Sequence, residues 1–172
     1  LGDVYKRQPF LDALRQIGVV PKLLPNLAAY RSGKFAEAAR TACDRADEVR
    51  EIIERVSGRE LPDGWFPWQP LDSNGSLDGV TVKGYEFPYV HWVDSTGAQG
   101  SSNIEKGEGK LPWRLDWPAK WGFHNITCEP FGKDHGAAGG SYDTGKEIAR
   151  LFGHEPPVPL TYEWISLRLS LI

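Results

Sequence analysis

Residues 126–164 read ITCEPFGKDHGAAGGSYDTGKEIARLFGHEPPVPLTYEW, and this stretch decides the fold class. Ile126 to Glu129 is a strand candidate. Gly132 to Ser141 is a turn rich in glycine. Ser141 to Phe152 has helical spacing, with Ile148, Leu151 and Phe152 inward and Gly153 behind them. Val158 to Trp164 is the next strand. Strand, glycine-rich loop, helix and strand make one βαβ unit, which implies parallel pairing and an α/β fold.

In open parallel sheets, ligands bind beyond the carboxyl ends of the strands. A glycine-rich turn there lets backbone N–H groups approach a phosphate or carboxylate. The helix that follows adds a favourable potential. Asp134 and His135 would project into that crevice. The spacing fits neither the P-loop nor the dinucleotide pattern, because Lys133 precedes the glycines. The alternative is a tight loop whose glycines serve only packing. Tyr162, Glu163 and Trp164 end the last strand, where they suit an ammonium group or an adenine. They equally suit an edge-strand aromatic cluster.

Upstream, Lys110 to Trp121 carries a tryptophan at every fourth position, Trp113, Trp117 and Trp121. Pro118 predicts a helix that starts after Trp117, capped by Asp116, with Trp113 on an extended segment. Trp117 and Trp121 read as core. Lys34 to Ser57 predicts one long amphipathic helix closed by Gly58. Its apolar stripe runs from Phe35 through Ala42 and Val49 to Val56, and its charged face is solvent-exposed. Shorter helices are expected over Pro9 to Ile17 and Asn26 to Arg31. From Leu61 to Gly109 helical periodicity vanishes. Thr81 to Tyr85 and Tyr89 to Val93 read as strands, Asp94 to Gly97 as a turn and Asn103 to Glu105 as the start of a third strand.

The chain has 172 residues, 40% of them hydrophobic, which suits one domain with or without a small second piece. A net charge of -3 argues against a basic nucleic-acid module as a whole, yet leaves room for a local basic patch. No apolar run reaches the ~18 residues of a membrane span, and no leader opens the chain. The only cysteines, Cys43 and Cys128, form neither a disulfide framework nor a four-cysteine zinc site. Both read as small core hydrophobes in a reducing compartment. His91, His124 and His154 lack ligand-spaced partners and read as structural. There is no methionine, and 1–8 and 166–172 resemble translated sequencing-adapter reads. Both ends are set aside, and the chain reads as an internal fragment.

Several phrases in order carry a resemblance. They are Lys110 to Trp121, Glu129 to His135, Gly139 to Gly145, Glu155 to Pro157 and Tyr162 to Trp164, with Tyr30 to Ala38 upstream. Together they resemble class I lysyl-tRNA synthetase over roughly Leu23 to Ile165. The resemblance implies part of a Rossmann-type catalytic domain, with an inserted helical segment at 9–60 and a small β insertion at 61–109. The second half of the nucleotide-binding domain falls at 110–165. It implies a lysine–tRNA ligase that activates lysine with ATP and transfers it to tRNA(Lys), in the cytoplasm and off the membrane. Trp113, His135 and Tyr162 would line the lysine site, with Glu163 a partner for the ammonium. Gly132, Asp134, Gly139 and Gly140 would lie near the adenylate.

The departures are specific. The His-x-Gly-His and Lys-Met-Ser-Lys-Ser signatures of the family are absent, so no catalytic residue is assigned and the chain alone is expected to be inactive. Many relatives carry zinc-binding cysteine pairs in the β insertion. Here Leu71 to Gly75 and Asp94 to Gly97 stand in their place, so no zinc and no other bound metal is expected beyond the Mg2+ that accompanies ATP. Two other readings stay open. A class I synthetase for glutamate or glutamine would bring an arginine to the substrate carboxylate. A non-catalytic aromatic-rich module would expose Trp65, Trp68, Trp92, Trp113 and Trp117 on one face.

Overall fold

The computed structural model describes residues 2–163, with side chains from residue 7 onward. Trp164 and the 166–172 stretch lie outside the described residues. Four helices come first: α1 (Gly2–Gln16), α2 (Asn26–Arg31), α3 (Ala36–Asp44) and α4 (Ala46–Ser57). Helix α1 begins well before the predicted Pro9 and carries that proline inside it.

The predicted helix over 34–57 is two helices. A straight helix of that length would run ~36 Å, more than the diameter of a small domain. The chain breaks instead at Arg45, whose φ of -117° and ψ of 35° leave the helical region. Arg45 ends one ladder by donating its N–H to Thr41 O and starts the next by accepting from Val49 N–H. Its guanidinium grips both Glu48 oxygens, at 2.8 and 2.7 Å. Neither glycine nor proline marks the break, so the periodicity runs through it without a signal. The break lets Ala39, Ala42 and Cys43 of α3 share one core with Val49, Ile52 and Ile53 of α4. Gly58 closes α4 in the left-handed conformation, φ 66°.

The middle of the chain holds short antiparallel strands. Strands β1 (Gln69–Pro70) and β5 (Gly109–Lys110) pair with each other. Strands β2 (Thr81–Glu86), β3 (Tyr89–Val93) and β4 (Gln99–Asn103) form a three-stranded sheet. The third strand was expected at Asn103 to Glu105, and pairing in fact starts at Gln99, directly after the Asp94 to Ala98 turn. Its sequence is polar, and its buried members are satisfied internally. Trp68 Nε1–H donates to Ser102 Oγ at 2.9 Å, and Ser102 O–H donates to Glu108 O at 2.6 Å. A strand of that kind shows no apolar alternation to read.

The last part contains helix α5 (Trp113–Phe123), strand β6 (Cys128–Gly132), helix α6 (Ser141–Leu151) and strand β7 (Val158–Tyr162). Strands β6 and β7 pair in parallel, so the βαβ reading holds. Strand β6 lies later than the expected Ile126 to Glu129, and its buried residue is Phe131. Cys128 is exposed, against the expectation of a core position, because it opens the strand opposite Val158, which is exposed as well. Cys43 is buried as expected.

Helix α5 also departs from expectation. It starts at Trp113, five residues ahead of Pro118, and Asp116 lies in its first turn instead of capping it. An interior proline costs about 3 kcal/mol. Burial of Leu115, Trp117, Pro118 and Trp121 on this helix offsets that cost. No helix among the described residues is long and apolar enough to cross a membrane.

Asp116 is 7% exposed and holds α5 to the helical layer. Tyr30 O–H on α2 donates to it at 2.6 Å, and Lys120 Nζ lies 2.5 Å away. Tyr30 Oη also accepts Leu111 N–H at 3.2 Å. Tyr30→Phe therefore strips a donor from a buried carboxylate and an acceptor from a buried amide. Urea unfolding should show a loss of about 1–3 kcal/mol, and an unchanged midpoint would refute the network's role.

Candidate functional site

Helix α5 delivers an aromatic column to the glycine-rich loop. Trp113 and Trp117, one helical turn apart, stack with ring centroids 5.4 Å apart and planes 16° from parallel. His135 sits against both, 5.9 Å from Trp113 and 5.6 Å from Trp117. Trp117 and Trp121 continue into a buried cluster with Phe131 and Tyr142. Trp113 is 50% exposed, so the column runs from the core to an open indole.

The strand register brings in the remaining residues. Gly132 is opposite Tyr162 at the carboxyl ends of β6 and β7, and Lys133 N–H donates to Tyr162 O at 3.0 Å. The space a side chain would take at Gly132 borders Asp134 Oδ1 and the Tyr162 ring. Asp134 Oδ2 lies 3.7 Å from His135 Nε2. Trp113, His135, Asp134, Gly132 and Tyr162 thus follow one another around the strand ends. Tyr162 is 54% exposed. Glu163 is also exposed, and its carboxylate already pairs with Lys133 Nζ at 2.5 Å.

Gly139 and Gly140 are committed inside the loop. Gly140 N–H donates to Ala137 O at 2.7 Å, and Gly139 N–H donates to Asp143 Oδ2 at 3.0 Å. Gly139 has φ 72°, and a Cβ there would meet Val56 O of α4 at 2.9 Å. Gly139 thus serves close packing, while the loop's first turn carries Asp134 and His135 at the strand ends. In this conformation the Gly139 and Gly140 amides are not free donors.

Two residues important for this geometry were not singled out from the sequence. Arg114 Nη1 donates to Thr144 Oγ1 at 2.8 Å and reaches Gly140 O at 3.4 Å, tying α5 to the start of α6. Burial, then the nearby Arg59 cation, pulls its pKa below the ordinary arginine value. Asp143, in the first turn of α6, reaches back to the loop as a capping carboxylate does. Its position after the glycine pair was the available signal. The rival aromatic module loses its basis, because Trp68, Trp92 and Trp117 are buried.

The turns at Asp72 and Asp94 are closed by carboxylates. Asp72 Oδ1 accepts N–H groups from Asn74 and Ser76, and Asp94 Oδ1 accepts them from Thr96 and Ala98. His91 Nδ1 lies 2.8 Å from Ser101 Oγ.

The Lys146 ammonium, 2.9 Å away, and the Gly139 N–H hold Asp143 below its ordinary pKa. A depressed folded-state value gives stability above the unfolded pKa of about 3.9, lost as pH falls through the folded value. Urea midpoints of the chain should therefore drop in acid, and Asp143→Asn should flatten part of that drop. An identical pH profile in the variant would refute it.

A family model described as "tRNA synthetases class I (K)" matches residues 3–170, reaching into both stretches set aside above. Curated relatives named lysine–tRNA ligase align over most of the chain. That of Thermoplasma volcanium is 42% identical over 162 residues, 93% of this chain and 32% of its own length. That of Methanosarcina barkeri is 45% identical, covering 93% and 30%, and that of Archaeoglobus fulgidus 44%, covering 94% and 33%. The chain spans about a third of the length of these relatives. Carried by the parallel βαβ unit and by this match across nearly its whole length, the chain belongs to the class I tRNA synthetase family, K type.

Proposed function

We propose that the chain is the lysine-binding portion of a class I lysine–tRNA ligase, within a Rossmann-type catalytic domain. The observation that carries this is the Trp113–Trp117 stack with His135 against it, at the carboxyl ends of a parallel strand pair. The relatives' printed names supply the amino acid.

In this reading the methylene stem of lysine lies along the exposed Trp113 face and the Tyr162 ring, both apolar walls with water at the rim. An indole face also attracts an ammonium, by roughly 0.5–2 kcal/mol. Asp134 is the better placed anionic partner, since Glu163 already has the Lys133 ammonium. A lysine carboxylate oxygen attacks the α-phosphorus of ATP. The bond to the leaving pyrophosphate breaks, and lysyl-adenylate forms. The terminal ribose hydroxyl of tRNA then attacks the acyl carbon and releases AMP. Such chemistry depends on positioning and charge stabilisation. This segment's share is positioning: α5 and the 132–140 loop fix the amino acid at the strand ends beside the Gly132 to Gly140 turn.

Mg2+ would arrive on the nucleotide's phosphates, and no step here is routed through it. The carboxylate-closed turns at Asp72 and Asp94 support a β insertion without zinc. A cytoplasmic setting belongs to the same reading.

Lysine titrated into the chain should shift the NMR signals of Trp113, His135 and Tyr162, and glutamate should not. In the parent-length enzyme, Trp113→Ala should raise the KM for lysine about tenfold in lysine-dependent ATP–pyrophosphate exchange. Equal response to glutamate, or an unchanged KM, would refute the assignment. The 172-residue chain alone, given ATP, lysine and tRNA, should yield no lysyl-tRNA.

A further inference from the structure

At the opposite end of α5, about 15 Å from Trp113 along the helix axis, lies a concave site. It is a cavity of about 510 Å³ between α2 and the end of α5. Phe123, 42% exposed, forms an aromatic wall, with Phe35 behind it at 5.4 Å. Three cationic or protonatable groups line it: Lys34, Lys120 and His124. Lys34 Nζ stands 5.8 Å from the Phe123 ring centre, and the His124 ring lies 4.8 Å from it. Asn26 and Ser32 add uncharged polar groups. No acidic side chain lines the cavity among the described residues. The nearest carboxylate named above, Asp116, is turned inward to Tyr30 and Lys120.

The field around His124 fits this picture. Burial first, then Lys120, Lys34 and Lys22, lowers its pKa, so a further cation stands close by. An apolar-walled cavity lined by basic and no acidic side chains, on a chain of net charge -3, is a local exception to the overall balance. A positive groove with an exposed aromatic ring is the recognition chemistry of single-stranded nucleic acid. The ring stacks a base, and the cations take the backbone phosphates.

We propose that this cavity binds a nucleotide unit of single-stranded RNA, with the base against Phe123, the phosphate on the Lys34 ammonium and a ring N–H of His124 beside it. That the RNA is the single-stranded end of tRNA rests on the function proposed above; the cavity's preference for single-stranded RNA does not. The binding is polyelectrolyte in character and weakens with salt.

The test is fluorescence anisotropy of the 172-residue chain with a labelled five-nucleotide single-stranded RNA, at stepped salt concentrations. Lys34→Glu should weaken binding at least tenfold, and Phe123→Ala about threefold or more. Lys34→Gln should lower the salt slope by about one. Lys83→Glu, on the exposed side of β2, should change nothing. Circular dichroism melts confirm that each variant is folded. The proposal is overturned if the Lys34 and Phe123 variants bind like the parent chain. It is overturned equally if Lys83→Glu weakens binding as much, or if an RNA duplex binds as tightly. Lysine titration of the unmutated chain keeps the two readings apart. RNA binding without lysine binding there would sink the lysine assignment alone, and lysine binding without RNA binding would sink this site alone.

Discussion

Asp116 is the constraint around which the rest is arranged. A carboxylate buried in apolar surroundings is costly unless it is paired and hydrogen-bonded. Here it takes a hydroxyl from Tyr30 and an ammonium from Lys120, at 2.6 and 2.5 Å. Burial, then the Asp116 charge, raises the Tyr30 pKa far above its ordinary value, so the hydroxyl remains a donor at any physiological pH. These partners come from α2 and from α5 itself, and Tyr30 also receives the Leu111 amide. The angular setting of α5 is therefore fixed against the helical layer. Because α5 carries Trp113 at one end and Phe123 at the other, the same contact sets the orientation of both candidate sites.

Around that anchor two cores divide the work. The larger joins α3 and α4 to Leu111, Leu115, Ala119 and Ile148, and makes the helical layer continuous with α5 and α6. The smaller is almost wholly aromatic: Trp117, Trp121, Phe131 and Tyr142. Tyr142 O–H donates to Pro157 O at 2.7 Å, which links α6 to the segment entering β7. The position of His135 follows from this packing. Its carbonyl accepts Tyr142 N–H at 3.1 Å, so the loop tip is held by the helix that the loop introduces.

What could be read from the sequence, and what could not, divides along physical lines. The βαβ unit was legible because Gly139, Gly140 and the stripe of α6 follow local rules. The Gly58 cap and the strand Tyr89 to Val93 were legible for the same reason. The break at Arg45 was not, since a tertiary requirement imposed it on a sequence whose periodicity is continuous. Nor was the start of α5. Pro118 argued locally against a helix there, and burial of Leu115, Trp117 and Trp121 outweighed it. Strand β4 was hidden because its buried side chains are polar and pair internally. The neighbourhood of Trp113, His135 and Tyr162 could be anticipated only from the order of family-like phrases, since no spacing rule joins positions so far apart. The Phe123 cavity had no signal beyond the allowance for a local basic patch.

The uneven exposure of the indoles has an optical consequence. Among the described residues Trp68, Trp92, Trp117 and Trp121 are buried and Trp65 is half-buried, while Trp113 alone is classed as exposed. Of the emission these six indoles give, the long-wavelength part excited at the red edge of the tryptophan band therefore originates mainly from the mouth of the aromatic column. The chain thus carries its own probe of the space beside the 132–140 loop, and no dye need be attached to observe it.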